Sequence, residues 1–141
     1  MKKTKFYLAS IALCVGLISC NKVKNGEVIT DTYTGTVMVT SAGSDPGGNF
    51  TGSGDNGTYA FGWENTKAKA EVNFDITTPT GSVQMILEDK NGAEVLNEMR
   101  SAGGNDTFSG TSAEGKPGVW TVTIVFTDFN GDGSYSLSPI D

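Results

Sequence analysis

The chain has 141 residues, 37% of them hydrophobic, with ten basic and sixteen acidic side chains, a net charge of −6 and no histidine. An acidic surface repels phosphate, which argues against nucleic acid or any other polyanion as partner. The lack of histidine excludes a Ser-His-Asp triad, a Cys-His pair and a His-ligated zinc site.

In chain order, residues 1–19 read as a signal peptide. Lys2, Lys3 and Lys5 give a basic start, and the apolar run "FYLASIALCVGLIS" is too short to span a membrane with flanks to spare. The run closes on Leu17-Ile18-Ser19-Cys20, which resembles the lipobox of bacterial lipoproteins. The resemblance implies cleavage before Cys20, a diacylglyceryl group on its sulfur and a place in the cell envelope, with the outer membrane as the expected bilayer. Acyl chains anchor by burying methylenes, at roughly 0.8 kcal/mol each. Cleavage removes Cys14, so the mature chain has no second cysteine for a disulfide. It also removes three lysines, leaving seven basic against sixteen acidic residues, a net charge of −9. Residues 20–30 read as a tether. Asn21, Lys22 and Lys24 do not form the acidic cluster that surface-exported lipoproteins carry after the cysteine.

Residues 31–141 are long enough for one domain with one core. Nearly every apolar stretch in them alternates, the mark of half-buried strands. Tyr33, Val37 and Val39 share a face. The stretch 41–57, "SAGSDPGGNFTGSGDNG", is so rich in Gly, Ser and Asp that it is predicted as a surface loop or a disordered excursion. Tyr59, Phe61 and Trp63 alternate next. In "AKAEVNFDI" the residues Ala68, Ala70, Val72, Phe74 and Ile76 point inward. A turn at "TTPTG" precedes Val83, Met85 and Leu87. Residues 89–92, "DKNG", form a β-turn in which Gly92 can take positive φ. "AEVLNEM" is its hairpin partner, and Phe108 marks a short strand. Trp120, Val122, Ile124 and Phe126 form a long strand, returned by Tyr135, Leu137 and Pro139. About eight strands and no helix give an all-β fold, an antiparallel β-sandwich of jelly-roll type.

Residues 58–139 resemble the jelly-roll sandwiches at the C-termini of secreted bacterial peptidases, the pre-peptidase C-terminal type. The pieces that carry the resemblance are "TYAFGW", "KAEVNFDITTPTGSVQMILEDKNGAEV" and "GVWTVTIVFTDFNGDGSYSLS". It implies a non-catalytic accessory that binds polysaccharide or protein.

Three chemistries were open to these residues. Glycoside hydrolysis needs two carboxylates at one cleft, and Glu64, Glu71, Asp75, Glu88 and Asp89 are the candidates. Glu71 and Asp75 fall on the polar face of an alternating strand, where solvation alone explains them. Trp63, Trp120 and Tyr135 are the aromatics that could stack on sugar, but each falls on the apolar phase of its strand and is expected in the core. The stretch "TDFNGDGS" places Asp128, Asn130 and Asp132 at alternate positions before Gly133, the opening of a calcium loop. An EF-hand would need a Glu at position twelve, which is Pro139; the stretch resembles more closely the loops of FG-GAP and integrin-type propeller repeats, although their Asp at position nine is Ser136 here. Asn-Gly and Asp-Gly are equally the signals of a hairpin turn. The expectation is therefore a lipid-anchored binding module for glycan or protein. A structural envelope subunit is the alternative, and a small carboxylate hydrolase a more remote one.

Overall fold

The computed structural model describes residues 23–42, 45–103 and 106–141, so the signal peptide and Cys20 lie outside the described residues. Within them the strands are β1 (Val28–Asp31), β2 (Thr36–Val37), β3 (Thr40–Ala42), β4 (Asp45–Asn65), β5 (Lys69–Glu88), β6 (Glu94–Ser101), β7 (Thr107–Thr111) and β8 (Gly118–Ile140). All pairings among them are antiparallel. The hydrogen-bonded order is β1-β4-β8-β5-β6, with β2 and β3 also on β4 and β7 also on β5.

Three of these strands are far longer than one sheet of a small sandwich needs: β4 has 21 residues, β5 has 20 and β8 has 23. Each runs through both layers. The first layer holds β1, the second half of β4, the first half of β8, the second half of β5, and β6. The second layer holds β2 and β3, the first half of β4, the second half of β8, the first half of β5, and β7. The chain thus forms one sheet folded over on itself, with a bend end where the long strands cross and an open end where they terminate.

The bend falls at the same level in all three strands. Pairing slips between Ser53, Asp55 and Gly57 on β4 and between Thr77, Thr80 and Ser82 on β5. Asp128 has φ 47° and Gly131 φ 150° on β8, and Gly81 has φ 90° on β5. Bulges of this kind bend a strand and sharpen its twist. Glycine is required where the strands nest. A Cβ on Gly131 would stand 2.0 Å from the Thr77 carbonyl oxygen, and one on Gly81 would stand 2.2 Å from that of Asp128.

Three expectations are corrected here. The stretch 41–57 is not a loop over 45–57, because Asp45 onward belongs to β4. Its glycines serve close approach: a Cβ on Gly48 would fall 1.8 Å from the Met38 carbonyl oxygen. Likewise "TTPTG" does not separate two strands but is the bend inside β5. The predicted tether also ends early. Gly26 N–H donates to the Gly62 carbonyl at 2.7 Å, Gly62 N–H returns a bond to Glu27 at 2.9 Å, and β1 begins at Val28.

The folded sheet buries both inner faces. Phe61, Trp63, Val83, Met85, Leu87, Trp120, Val122 and Ile124 come from the first layer, and Phe50, Val72, Phe74, Ile76, Tyr135 and Leu137 from the second. Rings meet across the gap, with Phe61 and Tyr135 centroids 6.2 Å apart and Phe50 and Phe126 5.2 Å apart in edge contact. Arg100 of β6 donates to the Thr107 carbonyl of β7 at 3.0 Å and lies over the Phe74 and Phe108 rings, clasping the two layers along that side. At the open end the Trp120 indole stands edge-on to Trp63 at 5.9 Å and donates to the Lys116 carbonyl at 2.9 Å. Trp120 is fully buried. Trp120→Ala is expected to cost about 3–5 kcal/mol in urea unfolding; a loss near zero would contradict this packing.

Candidate functional site

The residues singled out in the sequence are distributed by the bend. The stretch "TDFNGDGS" is not a hairpin turn, because β8 runs through it without reversing. Asp128 sits at the corner. Its N–H donates to the Asn56 amide oxygen at 2.9 Å and its carboxylate accepts from the Asn56 amide nitrogen at 3.0 Å, locking β8 to β4. Asn130 is paired between Ser53 and Thr80, and its carbonyl accepts the Thr78 hydroxyl at 2.6 Å. Asp132 lies one row further into the second layer, between Thr51 and Thr77. Phe129, in the middle of the motif, is fully buried against Phe50 and Phe126.

Asp128, Asn130 and Asp132 follow one another along β8 and do not close a loop. A loop converges on an ion by curling around it, with oxygens at 2.3–2.6 Å on several sides. Here the three residues straddle the Asp128–Gly131 corner, Asp128 bonded to Asn56 and Asp132 in the row of Thr51 and Thr77. Among the described residues no three Asp, Glu, Cys or His side chains gather where they could hold a metal.

The other carboxylates are equally scattered. Asp89 is a structural buttress. It is buried and accepts the N–H groups of Lys116, Asn91 and Ala93 at 2.8, 2.8 and 3.0 Å, which holds its carboxyl below the usual range, the Lys116 bond contributing most. Glu64 and Glu88 belong to the first layer; Glu71 and Asp75 belong to the second and are four residues apart on one strand, about 13 Å. The aromatics behave as expected: Trp63, Trp120 and Tyr135 are 1%, 0% and 4% exposed. No described aromatic ring forms an exposed platform, since Tyr59 and Phe108 are also half-buried against the core.

What the fold does build is a polar depression on the outer face of the second layer, of about 400 Å³. Register places Asn49 of β4, Ser134 of β8 and Asp75 of β5 in one row, and Thr51, Asp132 and Thr77 in the next. The two rows stand about 6.8 Å apart, with strands about 4.8 Å apart. The floor is the backbone of Phe50 and Gly133. Gly133 keeps that floor thin: the Phe50 ring occupies the space below it, and a Cβ there would come within 2.1 Å of that ring. The lining therefore offers three hydroxyls, an amide and two carboxylates, with no cation. It presents acceptors and donors to a ligand rich in hydroxyl groups. The same polar face continues along the strands through Asn73, Ser136 and Ser109. Sequence reasoning missed this site because its members lie on three strands far apart in the chain. Only the alternation of Asn49 with Thr51, and of Asp132 with Ser134, hinted at a polar face.

No protein-family profile matches the chain, and no curated protein is similar in sequence. Solved structures do match the fold. The module TmCBM61, in complex with β-1,4-galactotriose, is 16% identical over 77% of this chain and 87% of its own, with a TM-score of 0.50. A carbohydrate-binding module of Cellvibrio mixtus lichenase 5A, in complex with cellotriose, is 13% identical over 76% of this chain and 88% of its own, at 0.43. The arabinose-bound α-L-arabinofuranosidase MgGH51 is 14% identical over 80% of this chain, at 0.42, and this chain spans 23% of that enzyme's length. The match to the galactotriose complex identifies the fold as a jelly-roll β-sandwich.

Because Asp128 braces the bend through Asn56, Asp128→Ala should lower the melting temperature by the same amount in EDTA and in millimolar calcium. A wild-type melting temperature that rises with calcium, and an Asp128→Ala variant that does not respond, would restore the metal site.

Proposed function

We propose that the chain is a non-catalytic glycan-binding module, held in the bacterial envelope by lipid on Cys20. The observation that carries the binding reading is the depression of Asn49, Thr51, Asp75, Thr77, Asp132 and Ser134. Sugars are recognised by convergent hydrogen-bond donors and acceptors, and a rigid sheet face holds such groups without an ordering cost at binding. Carboxylate acceptors make the stronger, charge-assisted bonds to sugar hydroxyls. The shared fold of a module whose solved complex contains a galactotriose supports the reading. A hydrolase finds less support. Asp75 and Asp132 face the depression diagonally, and their exposed neighbours are hydroxyls and an amide. The lipobox supports the anchor, and the acidic surface keeps nucleic acid out of the list of partners.

The test is an oligosaccharide screen by calorimetry on the soluble Cys20→Ser chain, with β-1,4-galactotriose and cellotriose among the probes. Asn49→Ala and Asp132→Ala should leave melting unchanged. Asp132→Ala removes a charged acceptor worth about 1.5–3 kcal/mol, a loss of roughly tenfold or more in affinity. Failure of every glycan to bind, or binding that survives both substitutions, would contradict the proposal.

A further inference from the structure

From the docking of the N-terminal segment and the distribution of lysines, we infer that the open end of the sandwich rests on the phospholipid surface and that the polar depression stands on its side, near the end remote from the membrane. The inference rests on the lipidation of Cys20 proposed above.

Three observations carry it. The first is the position of the chain where it meets the fold. Val23 and Lys24 lie across the outer face of the first layer at Gly62, where a Cβ would fall 2.6 Å from the Val23 Cγ1 and 2.2 Å from the Lys24 carbonyl oxygen. Asn25 accepts the Glu64 N–H at 3.0 Å, and Lys24 N–H donates to Glu27 at 2.9 Å. Only two residues, Asn21 and Lys22, separate Val23 from Cys20. Three residue steps reach at most about 11 Å. The sandwich is longer than that: from Gly57 at the bend to Asn65 at the open end a strand rises about 27 Å. A lipid on Cys20 is therefore tied too short to reach beyond the bend end.

The second observation is the charge pattern. Lysines of the described residues all lie at the open end. Lys24 crosses Gly62, Lys67 pairs with Asp141 at 2.7 Å, Lys69 is opposite Ile140, Lys90 packs on Gly118, and Lys116 caps Asp89. Glu64, Glu88, Asp89, Glu94, Glu114 and Asp141 share the end, so its charge is mixed and nearly balanced. The bend end carries Asp55, Asp75, Asp128 and Asp132 and no lysine among the described residues, and its Arg100 is paired with Glu98. Anionic headgroups repel the bend end and tolerate the open end.

The third is a cleft of about 440 Å³ beside the exit of the chain, lined by Val23, Lys90, Asn91, Gly118 and Val119. Lys90 can reach a headgroup phosphate there while the valines face the acyl boundary, as long cationic side chains do at membrane surfaces. The depression lies on the other layer, two residues from the bend at Thr51, Thr77 and Asp132. An orientation with the open end down thus holds it on the side of the sandwich, near the end remote from the bilayer, accessible to a large glycan.

The experiment uses the full lipidated chain in vesicles of phosphatidylethanolamine and phosphatidylglycerol that carry a nitroxide on the headgroup. With Cys14 removed and Cys20 acylated, an introduced cysteine is the sole free thiol. Asn91→Cys marks the open end and Ser53→Cys the bend end; both positions are exposed. After fluorophore labelling, the Asn91 label should lose most of its emission and the Ser53 label should keep it. Cys20→Ser in either background should leave the protein in the supernatant and the label bright. Equal quenching at the two positions, or stronger quenching at Ser53, would overturn the orientation while leaving lipidation intact. Failure of the chain with Cys20 to sediment with the vesicles would overturn the lipidation reading, and the orientation with it.

Discussion

A sheet folded onto itself must bend every strand that crosses the fold at the same level. In this chain three strands cross, and each spends irregular backbone at that level: the double register slip of β4, the slip around Thr80 in β5, and the Asp128–Gly131 corner of β8. The corners nest so closely that side chains are excluded at Gly81 and Gly131. Hydrogen bonds then fix them, Asn56 to Asp128 and Thr78 to Asn130, while Asp55 accepts the Thr34 hydroxyl and the Ser53 N–H. The latter two bonds, Ser53 first, keep the Asp55 carboxyl below its usual range. Inside the elbow the rings of Tyr33, Phe50, Phe126 and Phe129 fill the space, with Tyr33 stacked on Phe126 at 3.7 Å. The Tyr33 hydroxyl donates to the Thr51 carbonyl at 2.8 Å, and burial, aided by the nearby Asp55 charge, pushes it up to about 12.

The strands were legible in the sequence wherever one face is apolar. "AKAEVNFDI" and "VWTVTIVF" alternate with a period of two, and the structure seats Val72, Phe74, Ile76, Trp120, Val122 and Ile124 in the core as read. What misled is the chemistry of bends. Gly, Asn and Asp supply positive φ and close backbone approach in turns, and a mid-strand corner asks for the same properties. Composition cannot distinguish a corner that reverses the chain from one that carries it into the second layer. The 45–57 stretch was misread for the same reason, since Gly47, Gly48 and Gly52 thin the strand for partners the sequence does not show to be near. Phe129 was the missed clue: a large apolar ring between Asp128 and Asn130 has no reason to sit in an exposed turn.

The same corner shapes the candidate site. Residues 132–134 emerge from it between Asn49–Thr51 and Asp75–Thr77, so the polar rows of the depression are aligned by the bend. The acidic members of "TDFNGDGS" are thereby divided between two tasks, Asp128 bracing the fold and Asp132 lining the face. The glycan reading, the displacement of aromatics into the core and the placing of the depression far from the chain's entry all depend on β8 being continuous.

Backbone NOEs across β8 in a uniformly labelled sample test that continuity most directly. The account predicts cross-strand contacts from Asp132 to both Thr51 and Thr77, and from Ile124 to both Tyr59 and Met85. Contacts pairing Phe129 with Asp132 and Thr127 with Ser134, the ladder of a hairpin turning at Asn130-Gly131, would contradict it.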